Sequence, residues 1–94
     1  MEESNGLTDW TDDFVLIDES HTEGSPWTIY DTFWETPGGV LWVSRTLYQN
    51  RWVYVTVALQ RAASRWKTIL RARDPVHGGP LLFAKAAYEK LGWV

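Results

Sequence analysis

From Trp27 onward, three runs of alternating character follow one another: WTIYDTFWET, VLWVSRTLY and WVYVTVAL, each rich in β-branched and aromatic residues. Short separators, PGG and QNR, divide them, so the pattern predicts a three-stranded antiparallel meander. Thr36-Pro37-Gly38-Gly39 suits a type II turn, with Pro presetting φ at the second position and Gly free to take φ > 0 at the third. Register matters because a slip of one residue moves every side chain to the other face. If each loop holds three residues, Thr36 opposes Val40, Tyr48 opposes Trp52 and Asp31 lies across from Arg45. One face then carries Ile29, Phe33, Leu41, Val43, Val55 and Val57. The other becomes aromatic and hydroxylic, with Tyr30, Trp34, Trp42, Tyr48, Trp52 and Tyr54 and no formal charge. A two-residue Gln49-Asn50 turn would mix Trp52 and Tyr54 with Leu47 and Val43, so the register that separates the two chemistries is preferred.

Beyond the meander, LQRAASRWKTILRARDP places apolar residues at 59, 62, 63, 66, 69 and 70, the spacing of one helical face. This predicts a helix from Arg61 to Ala72 stopped near Pro75, with a further strand over RWKTILRAR as the alternative. A second helix is expected after DPVHGG, with Pro80 in its first turn, Leu82, Phe83, Ala86, Ala87 and Leu91 as its apolar stripe, and Gly92 at its end. Upstream, HTEGSP (21–26) reads as a loop. The expected architecture is α+β: an acidic N-terminal arm over 1–23, then a single domain over 24–94. In that domain two C-terminal helices pack on the aliphatic face of a three-stranded meander, with room for a fourth, short N-terminal strand.

Charge sharpens this picture. Residues 1–44 carry ten acids and no Lys or Arg, whereas residues 45–94 carry nine Lys or Arg and two acids, leaving the chain at −3. Such asymmetry fits contact with nucleic acid by the basic half or mimicry of nucleic acid by the acidic half. It also fits two halves that fold together and neutralise one another, which is the expectation here. The absence of cysteine excludes disulfides and thiolate metal sites. No apolar run approaches the roughly 18 residues of a membrane-spanning helix, and MEESNGLTDW is acidic where a signal peptide would be basic and then apolar. A cytoplasmic protein without a membrane partner is expected.

Catalytic chemistry has little to draw on. The chain holds two His and no Cys, and shows no GxSxG, Walker A or GxGxxG spacing. Asp74 with His77 is the best dyad, in which a carboxylate orients an imidazole as a general base. No nucleophile or oxyanion site can be assigned beside it, so the pair reads as a polar turn and the protein as a non-enzyme. His21, His77 and the scattered acids show no ligand spacing, so neither a metal nor another cofactor is expected.

The segment DDFVLID resembles the acidic short motifs that bind the autophagy adaptor family related to ubiquitin. The resemblance implies Phe14 and Ile17 as anchors in two pockets, Asp12 and Asp13 as the preceding charge, and addition of a strand to a partner's sheet edge. The competing reading packs Phe14, Leu16 and Trp10 on this protein's own body. With seven Trp, four Tyr and three Phe, the chain is rich in residues that serve interfaces as well as cores. The expected function is a non-enzymatic protein-binding module, a small inhibitor or adaptor that acts on another protein, or on a second copy of itself, through the aromatic face and the acidic arm. Compact acidic phage anti-defence proteins offer a class analogy. The alternative is nucleic-acid binding through Arg61, Arg65, Lys67 and Arg71 on the predicted basic helix. An aromatic face without a cation counts against it, because single-strand binders interleave rings with Lys and Arg.

Overall fold

The computed structural model describes residues 13–75 and 78–92. Its elements are β1 (Val15–Glu23), β2 (Trp27–Thr36), β3 (Gly39–Tyr48), β4 (Arg51–Gln60), β5 (Lys67–Arg73) and the helix α1 (Pro80–Lys90). The strands form one antiparallel sheet in sequence order, β1-β2-β3-β4-β5. Among the described residues, the expected three strands and two helices are thereby corrected to five strands and a single C-terminal helix, a mostly β fold. None of the described helices is long and apolar enough to cross a membrane.

The helix predicted over 61–72 does not form. Residues 61–66 make a loop in which Ala62 takes φ 48°, and the chain then returns alongside β4 as β5. Two physical causes combine. A bare β4 edge offers a row of backbone donors and acceptors that a strand can pair and a helix cannot. The register also shifts between Val57 and Ala58, so that Val57 pairs with Leu70 and Ala58 with Thr68, leaving Ile69 as an extra residue. That bulge sets Ile69 and Leu70 both against the core. Two adjacent apolar residues in a strand thus imitate helical spacing.

Only the second predicted helix is present. Pro80 occupies its first turn after Gly79, Leu91 caps its end, and Gly92 follows at φ 75°. The buried stripe is Ala84, Ala87 and Tyr88, with Leu81 and Leu91 partly buried beside it. Leu82, expected on the stripe, is 60% exposed. The stripe packs on the sheet face that carries Leu41, Val43, Val55 and Val57, all fully buried. Phe14 joins this core edge-on to Tyr88, at 4.8 Å between ring centroids.

Register is the second correction. Thr36 pairs with Gly39, so the β2–β3 loop holds two residues rather than three. The Thr36 hydroxyl accepts from Gly38 N–H at 3.2 Å and donates to the Gly39 carbonyl at 2.7 Å, while Gly38 N–H also donates to Tyr88 Oη at 3.0 Å. Positive φ falls on Gly39, at 132°, where any Cβ would collide with the Gln60 carbonyl oxygen. β2 is therefore one residue out of the expected alignment with β3, and its two faces exchange. Asp31 pairs with Ser44, and Arg45 with Tyr30. The β3–β4 loop is also two residues long, with Gln49 and Asn50 at φ 49° and 65°, as a type I′ hairpin requires. An extra residue in β4, between the Leu47–Trp52 and Thr46–Tyr54 pairs, then restores the expected pairing of Val43 with Val57.

Candidate functional site

The exchange of faces decides what the sheet displays. Opposite residues share a face and neighbours along a strand alternate, so the side away from α1 carries Phe33 and Trp42 in one row. Asp31, Ser44, Thr56 and Arg71 form the next row, followed by Ile29, Thr46, Tyr54 and Arg73. From the loop before β5, Trp66 folds onto this surface. Phe33 and Trp42 stack at 6.0 Å with planes 6° apart, and Trp66 meets both edge-on at 6.3 and 5.9 Å. Asp31 Oδ1 accepts from Trp42 Nε1 at 2.8 Å and so fixes that ring. Trp66 remains 40% exposed, and apart from it no described element packs on this side.

The six rings expected on one face are divided. Trp42 and Tyr54 lie on the open face. Tyr30, Trp34 and Trp52 lie on the helix side, where Trp34 packs on the core and its indole nitrogen is buried without a hydrogen-bond partner among the described residues. Tyr48 is exposed beside the β3–β4 turn. Nor is the ring-bearing face free of charge, because Arg71 and Arg73 stand on it. Phe33, expected on the aliphatic face, and Trp66, expected on a helical apolar face, belong instead to the open surface, as does Arg73, which the sequence did not single out. A strand over RWKTILRAR is the alternative reading, but strict alternation would set Trp66 on the face away from Arg71 and Arg73; the loop position of Trp66 and the extra residue Ile69 bring them to one face.

Among the residues of the acidic motif, Phe14 is buried in the core, Ile17 is exposed at the register shift between Leu16 and Asp18 in β1, and Asp13 is exposed. Asp12 and Trp10 lie outside the described residues. Residues 15–23 of the expected arm are the edge strand β1. The basic set has no helix to lie on: Arg61 and Arg65 are in the loop, and Lys67 and Arg71 are in β5. Asp74 follows β5 at φ 51°, while His77 lies outside the described residues. Among the described residues no cluster of His, Asp and Glu could hold a metal ion.

Because strand order equals sequence order, the charge asymmetry of the chain becomes an edge-to-edge gradient. Asp18, Glu19 and Glu23 lie on β1, and Lys67, Arg71 and Arg73 on β5. Four strand spacings separate these edges by about 19 Å, more than twice the roughly 8 Å screening length of physiological salt. The charged edges therefore do not neutralise one another. Compared with known proteins, the chain matches no family model, no curated protein and no solved structure.

Proposed function

We infer that this protein is a non-enzymatic protein-binding module and that the open sheet face is its contact surface. One observation carries this reading: Phe33, Trp42 and Trp66 form a continuous ring cluster on a face that no other described element covers. Large rings in water are costly, and clustered aromatic surface of this kind marks interaction sites. The acidic and basic margins would fix a partner's orientation and raise its association rate.

Nucleic acid is the second reading, favoured by Arg71 and Arg73 on the same face as the rings, since stacking platforms flanked by cations hold single strands. Asp31 and Glu35 on the same face, with Asp18 at its margin, would repel phosphates over the other half, and this places protein first.

The test compares wild type with Trp66→Ala and Trp42→Ala in pull-downs from native extract, with melting recorded for each. Loss of the same bound protein in both variants, by about 2 kcal/mol or more in affinity for a central anchor, supports the reading. An unchanged bound set with folded variants overturns it. A steep fall of affinity for random single-stranded DNA with salt would favour the second reading.

A further inference from the structure

On the helix side of the sheet, register sets His21, Tyr30 and Arg45 in one cross-strand row over β1, β2 and β3, and Glu19 and Thr32 in the row beside it. Where α1 begins, Pro80 closes one wall of a cavity of about 300 Å³ lined by these residues together with Ser20 and Asp31. That size sits at the lower end for small-molecule sites, which pair aromatic walls with a few placed polar groups.

Arg45 is the centre of this cavity's chemistry. Its guanidinium carbon lies 4.3 Å from the centroid of the Trp52 ring. Tyr30 meets Trp52 edge-on at 5.5 Å and stacks with His21 at 5.6 Å. A ring face partners the positive charge but accepts none of the guanidinium's N–H groups in plane, and arginine has five of them in a fixed fork. No carboxylate lies within ion-pair distance of Arg45 among the described residues, and no hydrogen bond joins it to one of them. Burial lowers its pKa from the ordinary arginine value, with attraction from Tyr30 opposing the shift. A half-buried cation set over an indole, and itself lining an open cavity, lacks one component: a planar anion.

We propose that this cavity binds a small carboxylate, gripped by the two-pronged edge of Arg45 beside the stacked rings of His21 and Tyr30. Carboxylate is favoured over phosphate by Glu19 and Asp31, whose charges in the same cavity oppose the second negative charge of a phosphate. Its Arg45, His21 and Tyr30 are on the opposite side of the sheet from the ring cluster.

Acetate, benzoate and inorganic phosphate titrated separately into the full chain, followed at the Arg45 Nε–H and Trp52 indole N–H resonances, test the proposal. Saturable shifts are expected with both carboxylates, tighter for benzoate because its ring adds contact with Tyr30 and His21, and weakest for phosphate. Arg45→Lys keeps the charge but loses the fork, and should weaken benzoate by about tenfold or more. Glu19→Gln should strengthen phosphate by about threefold, the effect of removing one nearby partly screened charge. Melting shows whether each variant is folded. Should Arg45→Lys melt early, His21→Ala on the exposed edge strand takes its place and should weaken benzoate more than acetate. No saturable shift at either resonance, phosphate binding tighter than both carboxylates, or benzoate affinity undiminished in the folded variants would each overturn the proposal.

Discussion

Asp31 and Arg45 illustrate how register assigns partners to single residues. An alignment displaced by one position would pair them as opposite charges on one face. Instead Asp31 accepts the Trp42 indole N–H on the open side, while the Arg45 guanidinium sits over the Trp52 ring on the other. Each charge is thus matched to an aromatic ring. A hydrogen bond to a charged acceptor contributes more than a neutral one, so Asp31→Ala should cost about 1.5 kcal/mol in urea denaturation. The Trp42 indole proton should move upfield in the same variant. An Asp31–Arg45 ion pair would leave that proton unaffected.

At the scale of elements, bulges explain most of what local pattern misreads. Register shifts occur in β1 against β2, in β3 against β4 and in β4 against β5, and each adds a residue that breaks strict alternation. Strands with bulges twist more strongly and bring adjacent apolar residues to one side. In α1 the error has another source: several phases of a short helix look apolar, and contact with the sheet selects the one led by Ala84, Ala87 and Tyr88. Leu41→Ala, in the fully buried centre of β3, should cost about 2–5 kcal/mol. Leu82→Ala, on the exposed side of α1, should stay within about 0.5 kcal/mol. Equilibrium denaturation of both variants checks the assignment, and a large loss for Leu82→Ala would return the helix to the phase expected from sequence.

For the molecule as a whole, the two sides of the sheet differ in what the same residue type does. Trp34 packs against the core with Leu41 and its neighbours, whereas Trp66 stands on the open side. Trp34→Ala should therefore cost about 3 kcal/mol, the lower end of the range for a buried large ring, because Trp34 is partly rather than fully buried. Trp66→Ala should change stability by about 1 kcal/mol or less while removing exposed aromatic surface. Thermal melts of the pair give the comparison, and a collapse of the Trp66 variant would mean that the open cluster is structural. The charge gradient also belongs to this scale, since a meander keeps the acidic start and the basic end of the sheet on opposite edges.

Local chemistry alone determined that Trp27–Gln60 would form consecutive strands, that a helix would start at Pro80, and that acid and base would segregate along the chain. These depend on alternation, on turn residues and on proline, all of which act over a few positions. Tertiary structure decided the register, the fifth strand and the composition of the open face. In β2 neither parity is plainly a core face: Ile29, Asp31, Phe33 and Glu35 alternate with Thr28, Tyr30, Thr32 and Trp34, and each set mixes apolar with polar groups. Burial could not choose between them from sequence. The choice rests on the two-residue loop, held by Thr36 and by the hydroxyl of Tyr88, which reaches Gly38 from 50 positions away along the chain. β5 likewise forms because β4 offers it an unpaired edge, a partner that no window over residues 61–73 contains.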